Sequence, residues 1–376
     1  MKNFIPVNEP LFVGNEIKYL TDCIQTGWVS SDGKFVKKFE SKFAKKVNRK
    51  YSSAVSSGSA ALELALSSLD IKKNDEIILP NFTIVSCLLP ILRAGAKPIL
   101  IDCNFKDWNC SAEEIIKRIT SKTKVIILVH IYGLTADLDK ILKIAKKKNI
   151  KIIEDAAGVH GLKYKKKMCG SFGDISTFSF YANKSITTGE GGMLLTDDKK
   201  IYKEINRLKN LYFGEGNERF IHNKLGWNYR MSNLQAAVGL AQLENLNLNI
   251  RKRRKIGKIY SSGLKELSKF FHLPIKSKPY CNNVYWVYGL VIKKEFKFLA
   301  SRFMSVLKKK GVGTRPFFFP LNEQPIMKKF KNRTHKFPNS DYISKYGFYI
   351  PSGLGMNETQ QNTVIKKIKE AVSENF

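Results

Sequence analysis

Between residues about 50 and 200 the chain repeats one pattern, and that pattern limits the folds open to it. Short apolar runs end in polar residues: "EIILP" (76–80), "KPILID" (97–102), "KVIILVHI" (124–131) and "KIIEDAA" (151–157). Runs of this length, apolar on both alternating faces, suit strands covered on both sides, as in a mainly parallel sheet. Helical patterns separate them: "AALELALSSL" (60–69), "SAEEIIKRI" (111–119, with Ser111 as N-cap) and "DLDKILKIAKKKN" (137–149). The alternation predicts an α/β domain with a layered parallel sheet. A long helix is predicted over 232–246, opened by Ser232. Beyond it the pattern changes to an aromatic, β-branched strand ("NNVYWVYGLVI", 282–292) and a helix over 298–311 stopped by Gly311. The expected organisation is a large domain over 1–248 and a smaller α+β domain over 249–376.

The chain has 376 residues, 43% of them hydrophobic, enough for a large core. Its formal net charge of +33 raises the question of a nucleic-acid partner. Only 12 of the 65 basic residues are arginine, and the lysines are scattered in short runs. The one arginine cluster, "RKRRK" (251–255), is not interleaved with aromatics. The charge therefore reads as a lysine-rich surface, with no nucleic-acid partner. Six cysteines without a CxxC pair, and five histidines, argue against a zinc site or a disulfide framework, so no metal is expected. No apolar run is long enough to span a bilayer, and "MKNFIPVNEP" lacks the apolar stretch of a secretory signal. The expectation is a cytoplasmic protein with no membrane insertion.

Three polar clusters fall where ligands bind in α/β sheets, beyond the carboxyl ends of strands. In "SSGSAALELAL" (56–66), Gly58 and Ser59 open a helix whose free N–H groups suit a phosphate. In "IIEDAAGVHG" (152–161), a strand delivers Glu154 and Asp155. In "FSFYANKSITTGEGGML" (178–194), Ser179 precedes Lys184 and a Gly/Thr turn. A sheltered lysine can lose its proton and act as a nucleophile. A phosphate cradle, a buried acid and such a lysine are together the parts of a pyridoxal 5'-phosphate site.

These blocks, with "PNFTIVS", "LGWNYRMSNLQAAVGLAQLE" and "VGTRPFFFPLNEQP" (312–325), resemble the DegT-type pyridoxal-phosphate-dependent sugar-nucleotide aminotransferases of fold type I. The resemblance runs over nearly the whole chain. "SFYANKSITTGEGG" and "TRPFFFPLNEQP" look most like the GDP-perosamine synthases. The resemblance implies that Lys184 holds the cofactor as a Schiff base and moves the proton. Asp155 would pair with the pyridine nitrogen. Gly58, Ser59 and Ser179 would bind the phosphate, and Asn228 would reach the phosphate of the neighbouring subunit in a homodimer. Arg315 is the candidate for an anionic substrate group. His160 either reaches the site or caps its own turn.

Two positions depart from the family pattern. Gly158 stands where Gln or Glu is common, and Ile84 where an aromatic residue often stacks on the pyridine. Lys184, rather than the histidine of the related sugar 3-dehydratases, implies transamination. The implied reaction takes an amino group from L-glutamate to a nucleotide-linked 4-keto-6-deoxy sugar such as GDP-4-keto-6-deoxymannose. A C3-specific enzyme acting on a dTDP or UDP sugar is the near alternative, and a nucleic-acid-binding regulator the distant one.

Overall fold

The computed structural model describes residues 4–214, 216–330 and 336–375. Seven strands form the main sheet, in the spatial order Tyr51–Val55, Gly192–Thr196, Ile175–Ser179, Lys151–Asp155, Thr123–Val129, Glu76–Pro80, Lys97–Ile101. The four apolar runs of the sequence are four of these strands, and they pair in parallel. Successive side chains on a strand point to opposite faces. Along Thr123–Val129, Ile126 and Leu128 accordingly enter one buried core while Val125, Ile127 and Val129 enter the other. Helices cover both faces, which is why these strands read as continuous apolar runs. The α/β expectation is met.

Gly192–Thr196 is antiparallel to both its neighbours. Residues 180–191 link it to Ile175–Ser179 with no helix between them. A parallel return would need a crossover across the sheet, usually helical. The turn also fixes a close approach. A Cβ at Gly192 would lie 2.4 Å from the carbonyl oxygen of Ser57 and 3.0 Å from the amide nitrogen of Gly58.

The helices begin where their caps dictate. Ser57 accepts a hydrogen bond from the Ala60 amide and opens Gly58–Ser67. Ser111 does the same for Ala112–Lys117. Ser232 and Gln235 form a reciprocal capping box at Asn233–Glu244.

A third core is built on a four-stranded antiparallel sheet, in the order Phe271–His272, Tyr288–Ile292, Gly347–Ile350, Arg315–Pro316. The helices Ala300–Lys309 and Glu358–Asn375 pack on it. Ile5, near the start of the chain, joins this core and bridges to Val312. The helix Leu246–Gly263 links the two regions: Leu246 and Ile250 lie in the core that holds Ile126 and Leu128, Ile256 and Tyr260 in the third. Residue 248 falls in the first turn of that helix.

The stretch expected as one strand over 282–292 is broken. Only Cys281–Asn282 and Tyr288–Ile292 are extended pairs. Between them the Asn283 side chain accepts a hydrogen bond from the Tyr285 amide at 2.7 Å, and Tyr285 takes φ of 48°. This side-chain turn competes with the ladder, and the loop it forms carries Trp286.

Gly192→Ala is expected to destabilise the protein by about 1–3 kcal/mol, because backbone on both sides must move apart. The check is a urea titration, in which the midpoint falls while the slope is kept.

Candidate active site

The carboxyl ends of the central strands open into a cavity of about 310 Å³. Its wall includes Gly58, Ser59, Ile84, Asp155, Ser179, Lys184 and Arg315, seven of the residues singled out in the sequence. Gly158, Thr177, Asn183, Trp286 and Tyr349 also line it.

At one end is the start of the helix Gly58–Ser67. The amides of Gly58 and Ser59 belong to its first turn and have no partner within the helix. A Cβ at residue 58 would come within 2.7 Å of Ser179 Cβ and 3.0 Å of Ser179 Oγ. Only glycine lets the helix start and the Ser179 hydroxyl share this corner. The Ser59 hydroxyl meets that of Ser86 at 2.7 Å.

Asp155 ends its strand on the cavity side and is 3% exposed. One carboxylate oxygen accepts from the Ala157 amide (3.0 Å) and the other from the Cys87 thiol (3.4 Å). Glu154, its neighbour, faces the opposite side of the sheet, as strand alternation requires. It accepts from the amides of Gly170, Phe172 and Gly173 and from the Ser176 hydroxyl, and it pairs with His130 Nε2 at 3.0 Å. Burial pushes the Glu154 carboxyl up, but the His130 and amide bonds outweigh it and leave the group below its usual range. The Cys169 thiol lies within reach of this pair. The carboxylate is already filled by donors that brace the turn at 168–173.

Lys184 is 8% exposed and lies in the loop between Ile175–Ser179 and Gly192–Thr196. Its Nζ sits 3.4 Å from the ring centroid of Trp286. Burial pushes its pKa down to about 7; Asp155 opposes this and Arg253 adds to it. The amine is therefore about half neutral at pH 7. The turn beyond it acts as a brace: the Thr187 hydroxyl and the Thr188 amide both donate to the Phe180 carbonyl, and of the turn only Glu190 lines the cavity.

His160 does not line this cavity. It is buried in its turn, with its ring against Phe178 and Phe180. Burial, together with Lys184 and Arg253, pushes its pKa down to about 3, so it is neutral. Asn228 also lies outside the cavity, exposed, with its side-chain Oδ1 accepting from Arg230. Sequence reasoning passed over Trp286 and Arg253. Trp286 was hidden in an apparent strand, and Arg253 in a basic cluster that read as surface. Arg253 is instead 1% exposed and donates to the carbonyls of Asn183, Trp286 and Ser352.

Four residues of the wall carry a buried side-chain polar atom with no hydrogen-bond partner among the described residues: His130 Nδ1, Tyr132 Oη, Thr177 Oγ1 and Asn183 Oδ1. Buried polar atoms are rarely left so unless something else meets them. A helix start with free amides, a buried carboxylate and a partly neutral amine around one cavity fit a phosphorylated pyridine aldehyde. These features define a site for a cofactor-dependent group transfer.

Comparison with known proteins agrees. Residues 12–369 match the DegT/DnrJ/EryC1/StrS aminotransferase family, and the chain belongs to it. The enzyme is a pyridoxal-phosphate-dependent aminotransferase of fold type I. The chain is 36% identical to the GDP-perosamine synthase of Escherichia coli O157:H7, over 99% of both chains. It is 38% identical to that of Vibrio cholerae, over 97% of this chain and 98% of the relative. An aminotransferase of Helicobacter pylori involved in pseudoaminic acid biosynthesis superposes with a TM-score of 0.91 at 20% identity, covering 99% of this chain and all of that one (100%).

The lowered pKa of Lys184 can be measured directly. Trace labelling of cofactor-free protein with an amine-reactive anhydride should modify Lys184 half-maximally near pH 7, since only the neutral amine reacts. Reaction falls below that pH. A midpoint near that of an ordinary lysine, about 10.4, would show that the amine is hydrated.

Proposed function

We propose that the enzyme moves an amino group from L-glutamate to C4 of a nucleotide-linked 4-keto-6-deoxy sugar, GDP-4-keto-6-deoxymannose. The product is a 4-amino-4,6-dideoxy sugar nucleotide, used in polysaccharide or glycan biosynthesis. The observation that carries this reading is the gathering of Lys184, Asp155 and the Gly58 helix start around one cavity, in a chain that matches two GDP-perosamine synthases from end to end.

Pyridoxal phosphate, when bound, supplies an electron sink and a carrier for the amino group. In this reading the Gly58 and Ser59 amides and the Ser179 hydroxyl hold the phosphate, where the helix dipole favours negative charge. The Asp155 carboxylate would accept a hydrogen bond from the protonated pyridine nitrogen. Ile84, on the cavity wall, would supply an apolar contact to the cofactor. Lys184 supplies the amine that anchors the cofactor and later takes and returns the substrate proton at Nζ. A group with a pKa near 7 can both accept and donate a proton at neutral pH. Arg315, whose backbone pairs with that of Tyr349, is positioned for an anionic part of the substrate.

The active unit in this reading is a homodimer with shared sites. Large apolar side chains stand open to solvent, among them Leu225 (90% exposed), Ile17 (82%) and Phe220 (76%). Such side chains are available to a partner subunit. Asn228, exposed near Leu225 in sequence, would serve the partner's phosphate site. No helix among the described residues is long and apolar enough to cross a membrane.

Borohydride reduction of the enzyme with pyridoxal phosphate should fix the cofactor on Lys184, and Lys184→Ala should abolish both adduct and activity. A panel of GDP-, dTDP- and UDP-linked keto sugars with glutamate should give turnover on the GDP sugar. NMR of the product then separates amination at C4 from amination at C3. Sharing of sites has its own check. Lys184→Ala and Asn228→Ala proteins, unfolded and refolded together, should be more active than the mean of the two alone. Activity equal to that mean would assign Asn228 to its own subunit.

A further inference from the structure

The residue common to the broken strand, the cavity wall and the lysine is Trp286. Its indole lies over Lys184, with Nζ 3.4 Å from the ring centroid. The ring also stands against Gly158. A Cβ there would lie 2.8 Å from Trp286 Cε3 and 3.2 Å from Cζ3, with the His130 carbonyl oxygen at 3.0 Å. Gly158 is the position where the sequence lacks the side chain common in the family, and the indole occupies that space. Residue 158 and residue 286 cannot both be large.

The ring is held from several sides. Its Nε1 donates to the Asn183 carbonyl at 3.2 Å, one residue before Lys184. Its own carbonyl accepts from Arg253 at 3.0 Å. Tyr132 packs beside it, with ring centroids 5.7 Å apart. The Asn283 turn fixes the backbone that presents it. Asn183 is thus gripped by both Trp286 and Arg253, and Lys184 follows directly in sequence.

We propose that Trp286 is the positioning residue for the Lys184 amine: its indole fills the space left open at Gly158 and forms the wall that keeps the amine out of water. Trp286 and Gly158 act as one unit, so that a residue from the C-terminal part replaces a side chain missing from the N-terminal part. The inference rests on the assignment of Lys184 as the cofactor-bearing amine and adds the residue that controls its environment. An aromatic face tolerates a cation, but an indole also excludes water, and desolvation favours the neutral amine. In this site exclusion of water is the larger effect, because burial heads the causes of the lysine's shift.

The test is the pH profile of Lys184 labelling in full-length cofactor-free protein, with circular dichroism to establish that each variant is folded. Trp286→Ala should raise the midpoint by about one pH unit or more, since water reaches the amine. Trp286→Phe, which keeps an apolar ring, should stay close to wild type. Gly158→Gln alone should displace the indole and raise the midpoint. In the Trp286→Ala background the same glutamine should bring the midpoint back toward wild type, because it refills the vacated space. A midpoint unchanged in Trp286→Ala overturns the proposal. So does a midpoint in Trp286→Phe that moves as far as in the alanine variant, or a double variant without recovery. If wild-type protein forms no reducible adduct at Lys184, the functional reading itself fails. If the adduct forms but the profiles do not respond to Trp286, only the positioning role fails.

Discussion

A buried guanidinium holds the active region together. Arg253 donates to three carbonyls, from Asn183, Trp286 and Ser352, and so ties three distant stretches of chain to one point in the helix Leu246–Gly263. Removing an arginine charge from water costs several kcal/mol unless every donor is used well. Here three carbonyl oxygens accept from its terminal nitrogens, while Nε has no partner among the described residues, and burial pushes the pKa down to about 10, still charged at neutral pH. The cost is offset only in the assembled fold, because no single segment brings three such carbonyls together. The positions of Asn183 and Trp286, and through them of Lys184, follow from this clamp.

The clamp has an electrostatic consequence. A cation beside the cavity disfavours a second one, and Arg253 adds to the burial that lowers the Lys184 pKa and keeps His160 neutral. Asp155 works the other way on Lys184. The result is an amine poised near neutrality rather than one fully charged or fully discharged. Glu154, one residue from Asp155, has a separate task on the other face of the sheet. Its carboxylate gathers the turn at 168–173, which precedes the strand Ile175–Ser179. Two adjacent acids thus divide between cavity and scaffold by the alternation of a strand.

Much of the scaffold was legible in the sequence because its signals are local. Apolar runs of strand length, serine caps and the αL or glycine stops of helices depend on a few neighbouring residues. Strands at 76–80, 97–101, 123–129 and 151–155 appeared where expected for this reason. Where a signal was ambiguous, tertiary context decided. "NNVYWVYGLVI" has strand composition throughout, yet the Asn283 side chain turns the chain and frees Trp286. "RKRRK" reads as solvated charge, yet helix geometry turns Arg253 inward between two cores while Arg251 stays exposed.

The sequence by itself determined the layered α/β fold, the family and the set of polar residues at the strand ends, because each is written in short-range patterns. What only the tertiary structure decided is which of those residues meet. It brought Gly58, Asp155, Lys184 and Arg315 to one cavity, left His160 and Asn228 off its wall, and set an indole against the glycine at 158. The physical reason is that desolvation and close packing are properties of the space between segments. A lysine's proton affinity depends on its burial and on the groups around it, and here the charge of Arg253 and the ring of Trp286 come from far along the chain.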